Sequence, residues 1–138
     1  MAKTVYYFDM DGVLADFHTA YASDKAVAYK REAMAELEPF VGAVAVVKGL
    51  IANGKSVYIN SLAANEDGKL GKLDWLAKYL PELKKSHIII SVGYVKKASV
   101  MKTKTGILVD DKLANCKQWE RLTGQRSIWV ETKGQVEL

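Results

Sequence analysis

The chain's 138 residues, 49% hydrophobic and 26% charged, suffice for a single domain with a proper core and are too rich in apolar residues for a disordered segment. No apolar run approaches membrane-spanning length, and the amino terminus leads straight into a strand pattern without signal-peptide features, so a cytoplasmic location with no membrane partner is expected. The net charge of +4 favours anionic partners without separating a phosphorylated metabolite from a nucleic acid.

Val5-Tyr6-Tyr7-Phe8 runs directly into Asp9-Met10-Asp11-Gly12, an apolar strand pattern that delivers two carboxylates at its end. Carboxyl ends of strands are where α/β sheets place ligands. Alternation sends Asp9 and Asp11 the same general way around Met10, and Gly12 lets the backbone turn close beside them. Two carboxylates held together at neutral pH repel and need a cation or a proton. Magnesium suits the site, because it prefers hard oxygen ligands and keeps positions open for a phosphate oxygen. One carboxylate could then attack phosphorus while the other shuttles a proton. The competing reading is a plain acidic turn, since Asp-Gly is a common turn pair.

From about residue 15 to 37 the pattern predicts a helix, with Phe17, Tyr21, Val27, Met34 and Leu37 on its apolar side and Pro39 beyond its end. A second helix is expected over 43–52, stopped by Asn53-Gly54, followed by a strand over 56–60 that reaches Ser61. The polar, glycine-containing stretch 62–71 reads as a loop, and 72–79 as a helix ending before Pro81. A third strand is expected over 87–91, a short helix near 97–101, a fourth strand over 106–109 entering Asp110-Asp111, a helix over 113–123 closed by Gly124, and a fifth strand over 127–130. Residues 131–138 extend the last strand or fray.

Strands alternating with helices predict a Rossmann-like three-layer sandwich: a mainly parallel five-stranded sheet with helices on both faces. The whole chain, 1–138, reads as one domain. The single cysteine, Cys116, sits in a helical pattern as a small buried residue and cannot form an internal disulfide.

The acids and the strand ends carry a resemblance. Asp9-Met10-Asp11-Gly12-Val13 resembles the first motif of the haloacid dehalogenase superfamily, in which the first Asp is a nucleophile that becomes an aspartyl phosphate and the second a general acid and base. Val57-Tyr58-Ile59-Asn60-Ser61 is similar to the second motif, whose hydroxyl binds phosphate, although Asn60 replaces the usual apolar residue and suggests a substrate contact or a looser fit. The third motif is a phosphate-neutralising lysine; Lys97 is favoured because it opens the short helix before the fourth strand, with Lys96, Lys102 and Lys104 as competitors. Gly106-Ile107-Leu108-Val109-Asp110-Asp111 resembles the fourth motif. By that resemblance Asp111 ligates magnesium directly and Asp110 acts through a water or by positioning, roles that could be exchanged; Asp9 and Asp11 complete the expected metal site.

The segments Asp9–Phe17, Glu38–Ala43 and Lys72–Leu80, with Asp110-Asp111-Lys112, Asn115 and Trp119, look like successive parts of the 5′(3′)-deoxyribonucleotidases and their small bacterial and phage relatives. That resemblance implies a small phosphorylated substrate, a nucleoside or deoxynucleoside monophosphate, with Phe17, His18 and Asn60 as candidate contacts and Tyr21 beside them. Only a minimal cap, at about 17–38, occupies the place of the family's larger helical insert. An acid at position 11 argues against dehalogenase and ion-pump chemistry, and a small cap against a mutase. Two other readings stay open: a nucleic-acid 3′-end phosphatase, supported by Lys84-Lys85 and the lysines between 96 and 104, and a catalytically idle binding protein that keeps the fold. Nothing in the sequence sets the oligomeric state.

Overall fold

In a computed structural model, residues 3–138 are described. Five parallel strands form one sheet: β1 (Val5–Phe8), β2 (Ser56–Ala63), β3 (Ile88–Val92), β4 (Ile107–Asp110) and β5 (Ser127–Trp129). Their order is β3-β2-β1-β4-β5, so β1 lies at the centre and the chain reverses direction across the sheet beside it. Tyr7 pairs with Tyr58 on one side and Leu108 on the other, and Phe8 with Ile59 and Val109. This register brings the ends of β1, β2 and β4 level, which is the arrangement that creates a crevice at a switch point.

Side-chain alternation gives the sheet two apolar faces. Phe8, Ile59, Ile90 and Val109 join the larger core with Val44, Val47, Trp75 and Leu76. These last four belong to α3 (Val41–Ala52) and α4 (Glu66–Tyr79). Tyr7, Ile89 and Leu108 face the other way, against Trp119 of α5 (Leu113–Thr123). Cys116, on the same helix, is buried and its thiol is pushed up to about 11, chiefly by burial, consistent with a packing role. The three-layer α/β expectation holds. No helix among the described residues is long and apolar enough to cross a membrane.

The expected single helix over 15–37 is instead three pieces: α1 (Phe17–Ser23), a 3-10 turn (Lys25–Tyr29) and α2 (Arg31–Ala35). Asp24 breaks it, with an extended backbone and a side chain that accepts from the Ala26 N–H. The stretch 62–71 is mostly regular, not a loop. β2 continues to Ala63, and α4 begins at Glu66 because the Asn65 side chain caps it by accepting from the Gly68 N–H at 2.8 Å. Gly68 and Gly71, which argue for a loop on propensity, are packing positions. A Cβ at Gly68 would collide with the Ala28 carbonyl, and one at Gly71 with the Arg31 carbonyl and, at 2.6 Å, the Met34 Cβ. The cap segment therefore lies directly on α4. Its seat is reinforced by the Trp75 indole N–H donating to the Leu37 carbonyl at 2.8 Å and by the exposed, two-pronged Arg31–Asp74 pair at 2.7 and 3.1 Å.

The carboxyl-terminal residues neither extend β5 nor run free. The Gly134 N–H donates to the Gly12 carbonyl at 3.0 Å, folding the tail back over the first acidic loop. The glycine seat on α4 gives a direct test. Gly71→Ala is expected to destabilise the fold by about 1–3 kcal/mol through overpacking. Gly49→Ala is the control: it meets open space in α3, so gaining helix propensity should leave stability equal or higher by up to about 1 kcal/mol. Urea unfolding midpoints at unchanged slope measure both, and equal midpoints for the two variants would contradict the close approach.

Candidate active site

β1 ends in a tight loop. The Asp9 N–H continues the ladder to the Val109 carbonyl at 2.9 Å, after which the Met10 carbonyl accepts from the N–H groups of Val13, Leu14 and Ala15 at 3.3, 2.8 and 3.0 Å. Gly12 has a φ of +81°, and a side chain there would strike the Asp111 carboxylate. Glycine is thus required twice over: for the left-handed turn, and for the contact between the loops that follow β1 and β4.

That contact concentrates charge. Asp9, Asp110 and Asp111 each place a carboxylate oxygen within 4.8 Å of the others, and all three are buried. Lys97 enters from the 3-10 turn Lys97–Val100, with its ammonium 3.0 Å from Asp9 Oδ1 and 2.7 Å from Asp110 Oδ2. Among the four lysines considered for the third motif, Lys97 alone reaches the acids; Lys96, Lys102 and Lys104 are exposed. Its backbone is fixed as well, because the Asn60 side-chain amide donates to the Lys97 carbonyl at 3.1 Å. Asn60 is itself fully buried and is not among the residues that line the cavity; its amide supports Lys97, and its Oδ1 has no partner among the described residues.

The two acids at the end of β4, Asp110 in the strand and Asp111 just beyond it, differ in their surroundings. Asp110 is held on both oxygens: Oδ1 accepts from the Lys112 N–H at 2.9 Å, and Oδ2 from Lys97 at 2.7 Å and the Asn115 amide at 3.1 Å. Asp111 Oδ2 accepts from the Lys133 ammonium at 2.6 Å and lies 4.0 Å from His18 Nε2. Lys133 comes from the folded-back tail, which the sequence pattern leaves as strand or fray. Asp11 stands apart from the three converging acids. Its Oδ2 accepts from Lys72 Nζ at 2.8 Å, and its Oδ1 is buried without a partner among the described residues. Lys72 also donates to Ser61 Oγ at 2.8 Å and to the Leu62 carbonyl at 2.7 Å.

Lys72 is the residue that motif reading does not single out. A helix beginning at 72 treats it as an ordinary first-turn lysine. With the helix starting at Glu66, it shares a face with Gly68, Gly71, Trp75 and Leu76, all buried. A lysine at helical spacing among glycines and a tryptophan is the signal that could have found it.

Burial pushes the carboxyl pKa values up, and the lysines decide where each settles. For Asp9, burial is outweighed by Lys97 and Lys72, so this carboxyl stays below its usual range. For Asp11, burial together with the negative charge of Asp9 prevails over Lys72, and its pKa is raised. Burial and Asp9 push Asp110 up to about 6 in spite of Lys97. Burial raises Asp111 against the opposing Lys133 contact. Lys97 stays protonated, because Asp9 and Asp110 overcome the effect of its burial.

These groups surround a cavity of about 110 Å3 whose walls include Asp9, Asp11, Ser61, Lys97 and Asp111, with Phe17 and His18 at its mouth. It adjoins a recess of about 310 Å3 between Phe17, Leu62 and Tyr94, and Asp11 borders both. Phe17 stacks on Tyr21 with ring centres 5.3 Å apart, which fixes its orientation. A larger, mainly apolar cavity of about 700 Å3 beside α4 lacks such a convergence of acids. His87 is structural: it hydrogen-bonds the Val57 carbonyl at 2.9 Å and stacks on Tyr58.

The donor set tests the fit of a divalent ion. Three buried carboxylates within reach of one point offer only hard oxygens, the ligand type that magnesium takes. Asp9 and Asp111 would hold it, with Asp110, whose two oxygens already accept from Lys112, Lys97 and Asn115, beside them.

No protein-family model matches the sequence, and no curated protein matches it. Among solved structures, the chain is similar to the HAD domain of the effector protein Lem4 from Legionella pneumophila, with a TM-score of 0.60 at 16% sequence identity, over 98% of this chain and 89% of that one. The five-stranded parallel sheet with helices on both sides is therefore a HAD-like fold.

Proposed function

We propose that this protein is a magnesium-dependent phosphomonoester hydrolase that works through an aspartyl phosphate on Asp9. The observation that carries the reading is the convergence of Asp9, Asp110, Asp111 and Lys97 at the carboxyl ends of adjacent parallel strands. Asp9 is kept ionised by Lys97 and Lys72, as a nucleophile must be. One of its oxygens attacks phosphorus and the bond to the ester oxygen breaks. Asp11, whose pKa is raised, gives its proton to the departing alkoxide. It then takes a proton from the water that attacks the phosphoaspartate, which releases inorganic phosphate and restores the Asp9 carboxylate.

Lys97 and the Ser61 hydroxyl offset and orient the phosphoryl oxygens, where most of the barrier reduction arises. Asp9 and Asp111 would hold a magnesium ion, which when bound would supply charge neutralisation for the phosphoryl oxygens. Asp110, with both oxygens engaged, serves by positioning Lys97 and the loop. Four carboxylates face three lysine ammoniums here, so a divalent cation and a phosphate dianion can enter as a pair without leaving a large net charge.

The substrate we propose is a nucleoside or deoxynucleoside monophosphate. The small polar cavity suits a phosphoryl group, and the neighbouring recess between Phe17 and Tyr94 suits a planar, partly apolar leaving group. A second reading, a phosphate at the 3′ end of a nucleic acid, draws on exposed Lys96, Lys102 and Lys104 next to the Lys97 turn. Cytoplasmic action on such substrates completes the proposal.

Phosphate release from nucleoside monophosphates, sugar phosphates and 3′-phosphorylated oligonucleotides, with magnesium and with chelator, tests this. Magnesium-dependent turnover is expected, strongest on deoxynucleoside monophosphates. Salt-sensitive preference for oligonucleotides would select the second reading, and no turnover on any ester would sink the enzyme reading. Asp9→Asn is expected to abolish turnover with the melting transition retained; an active Asp9→Asn variant would rule out the aspartyl phosphate.

Cation binding can be read without catalysis. Magnesium at ten times its dissociation constant should stabilise the fold by about 1.4 kcal/mol, seen as a rise in Tm, and Asp111→Asn should remove most of that rise. An equal rise in the variant would place the ion elsewhere.

A further inference from the structure

Lys72 and Lys97 are both buried lysines among the site acids, but their ammonium groups are committed differently. A lysine ammonium has three N–H donors and accepts nothing. Lys97 spends two of them, on Asp9 and Asp110, and its side chain lines the cavity, which leaves one for an incoming anion. Lys72 spends all three, on Asp11 Oδ2, Ser61 Oγ and the Leu62 carbonyl, at 2.8, 2.8 and 2.7 Å. It has nothing left for a phosphate.

We infer that Lys72 is a positioning residue, which fixes the oxygen of Asp11 that handles the proton and the direction in which the Ser61 hydroxyl donates. The inference rests on the hydrolase reading above. With Oδ2 held by the ammonium, Asp11 keeps Oδ1 as its one oxygen that is buried and unpartnered among the described residues, the oxygen left without a donor to tie it. Because Ser61 Oγ accepts from Lys72, its own hydrogen must point elsewhere, and the side open to it is the cavity it lines. One ammonium thus sets two groups that would otherwise rotate, one on the loop after β1 and one within β2.

The helix that carries it is suited to such a task. Lys72 is 2% exposed, and α4 is seated by Gly68 and Gly71 against the cap and by the Trp75 indole on the Leu37 carbonyl. A lysine whose only duty was to pin α4 to β2 would need the Leu62 contact alone. The bonds to Asp11 and Ser61 are what that duty leaves unexplained.

The test compares Lys72→Met in two backgrounds, using the alkyl phosphate best turned over by the unsubstituted protein and, beside it, p-nitrophenyl phosphate. In the unsubstituted background, kcat on the alkyl ester is expected to fall at least thirtyfold with KM within threefold. The aryl ester needs less help with its leaving group, so it should still give a burst of p-nitrophenolate before slow turnover. In an Asp11→Asn background, single-turnover release of p-nitrophenolate should drop less than threefold further when Lys72→Met is added, because the residue acts chiefly through Asp11. Lys72→Gln, which keeps a donor, should recover part of kcat.

A kcat within threefold of the original, a loss confined to KM, or equal losses in both backgrounds would overturn the inference. So would the absence of a native melting transition in both the Met and the Gln variant, which would make Lys72 a structural pin. No turnover by the unsubstituted protein would instead remove the hydrolase reading on which the inference stands.

Discussion

Mutual repulsion among four carboxylates governs this molecule. Asp9 and Asp11 leave β1, Asp110 and Asp111 leave β4, and the parallel register sets the two strand ends side by side. A buried carboxylate without a partner is costly, and several together are more so. The chain answers with cations drawn from three separate segments: Lys72 on α4, Lys97 on the turn before β4, and Lys133 on the tail. Each comes from a different place in the sequence, so the balance exists only in the folded chain. This is also why the carboxyl-terminal residues fold back instead of fraying: a half-exposed ammonium at the rim of Asp111, together with the Gly134 bond to the Gly12 carbonyl, secures them.

The same cations divide the acids into different kinds. Electrostatic attraction to Lys97 and Lys72 keeps Asp9 ionised, while burial and the nearby Asp9 charge keep Asp11 inclined to hold a proton. Two chemically identical side chains, two residues apart, acquire opposite tendencies from their surroundings. Separated proton affinities are what a nucleophile and an acid-base partner require. Asp110 and Asp111 part in another way: the first is tied by donors on both oxygens, and the second accepts from Lys133 at the rim, with His18 4.0 Å away, both on the same oxygen.

Much of this was legible in the sequence because strand ends announce themselves. Apolar runs entering Asp9, Ser61 and the Asp110-Asp111 pair locate three walls of the cavity, formed by Asp9, Ser61 and Asp111, and the alternation of strands and helices predicts the three-layer sheet. Lys97 could be preferred over its neighbours because it opens a turn immediately before β4. What the sequence hid has two physical causes. Propensity misread packing: Gly68 and Gly71 look like loop residues but are the points where α4 touches the cap, and that error shifted the helix start and concealed Lys72. Long-range electrostatics also left no local trace, since nothing around Lys133 says that it will meet Asp111. Asn60 illustrates the reverse problem, a polar residue in a site motif whose amide is spent on the Lys97 backbone.

The segment expected to act as a cap bears on what the proposed chemistry can be. Its three short pieces, separated at Asp24 and Lys30, rest on α4 through backbone contacts at both glycines and through the bidentate Arg31–Asp74 pair. A lid that closes over a substrate needs an interface it can leave, whereas close backbone approach makes a bistable hinge there expensive. The cavity mouth is accordingly lined by fixed groups, Phe17 stacked on Tyr21 and His18 beside Asp111, and the recess next to it is open. In the proposed reaction, an intermediate on Asp9 under so small a cover would stay within reach of solvent. Transfer to water requires that access, and transfer to a second substrate hydroxyl requires its denial, so a short, clamped cap favours hydrolysis over phosphoryl exchange.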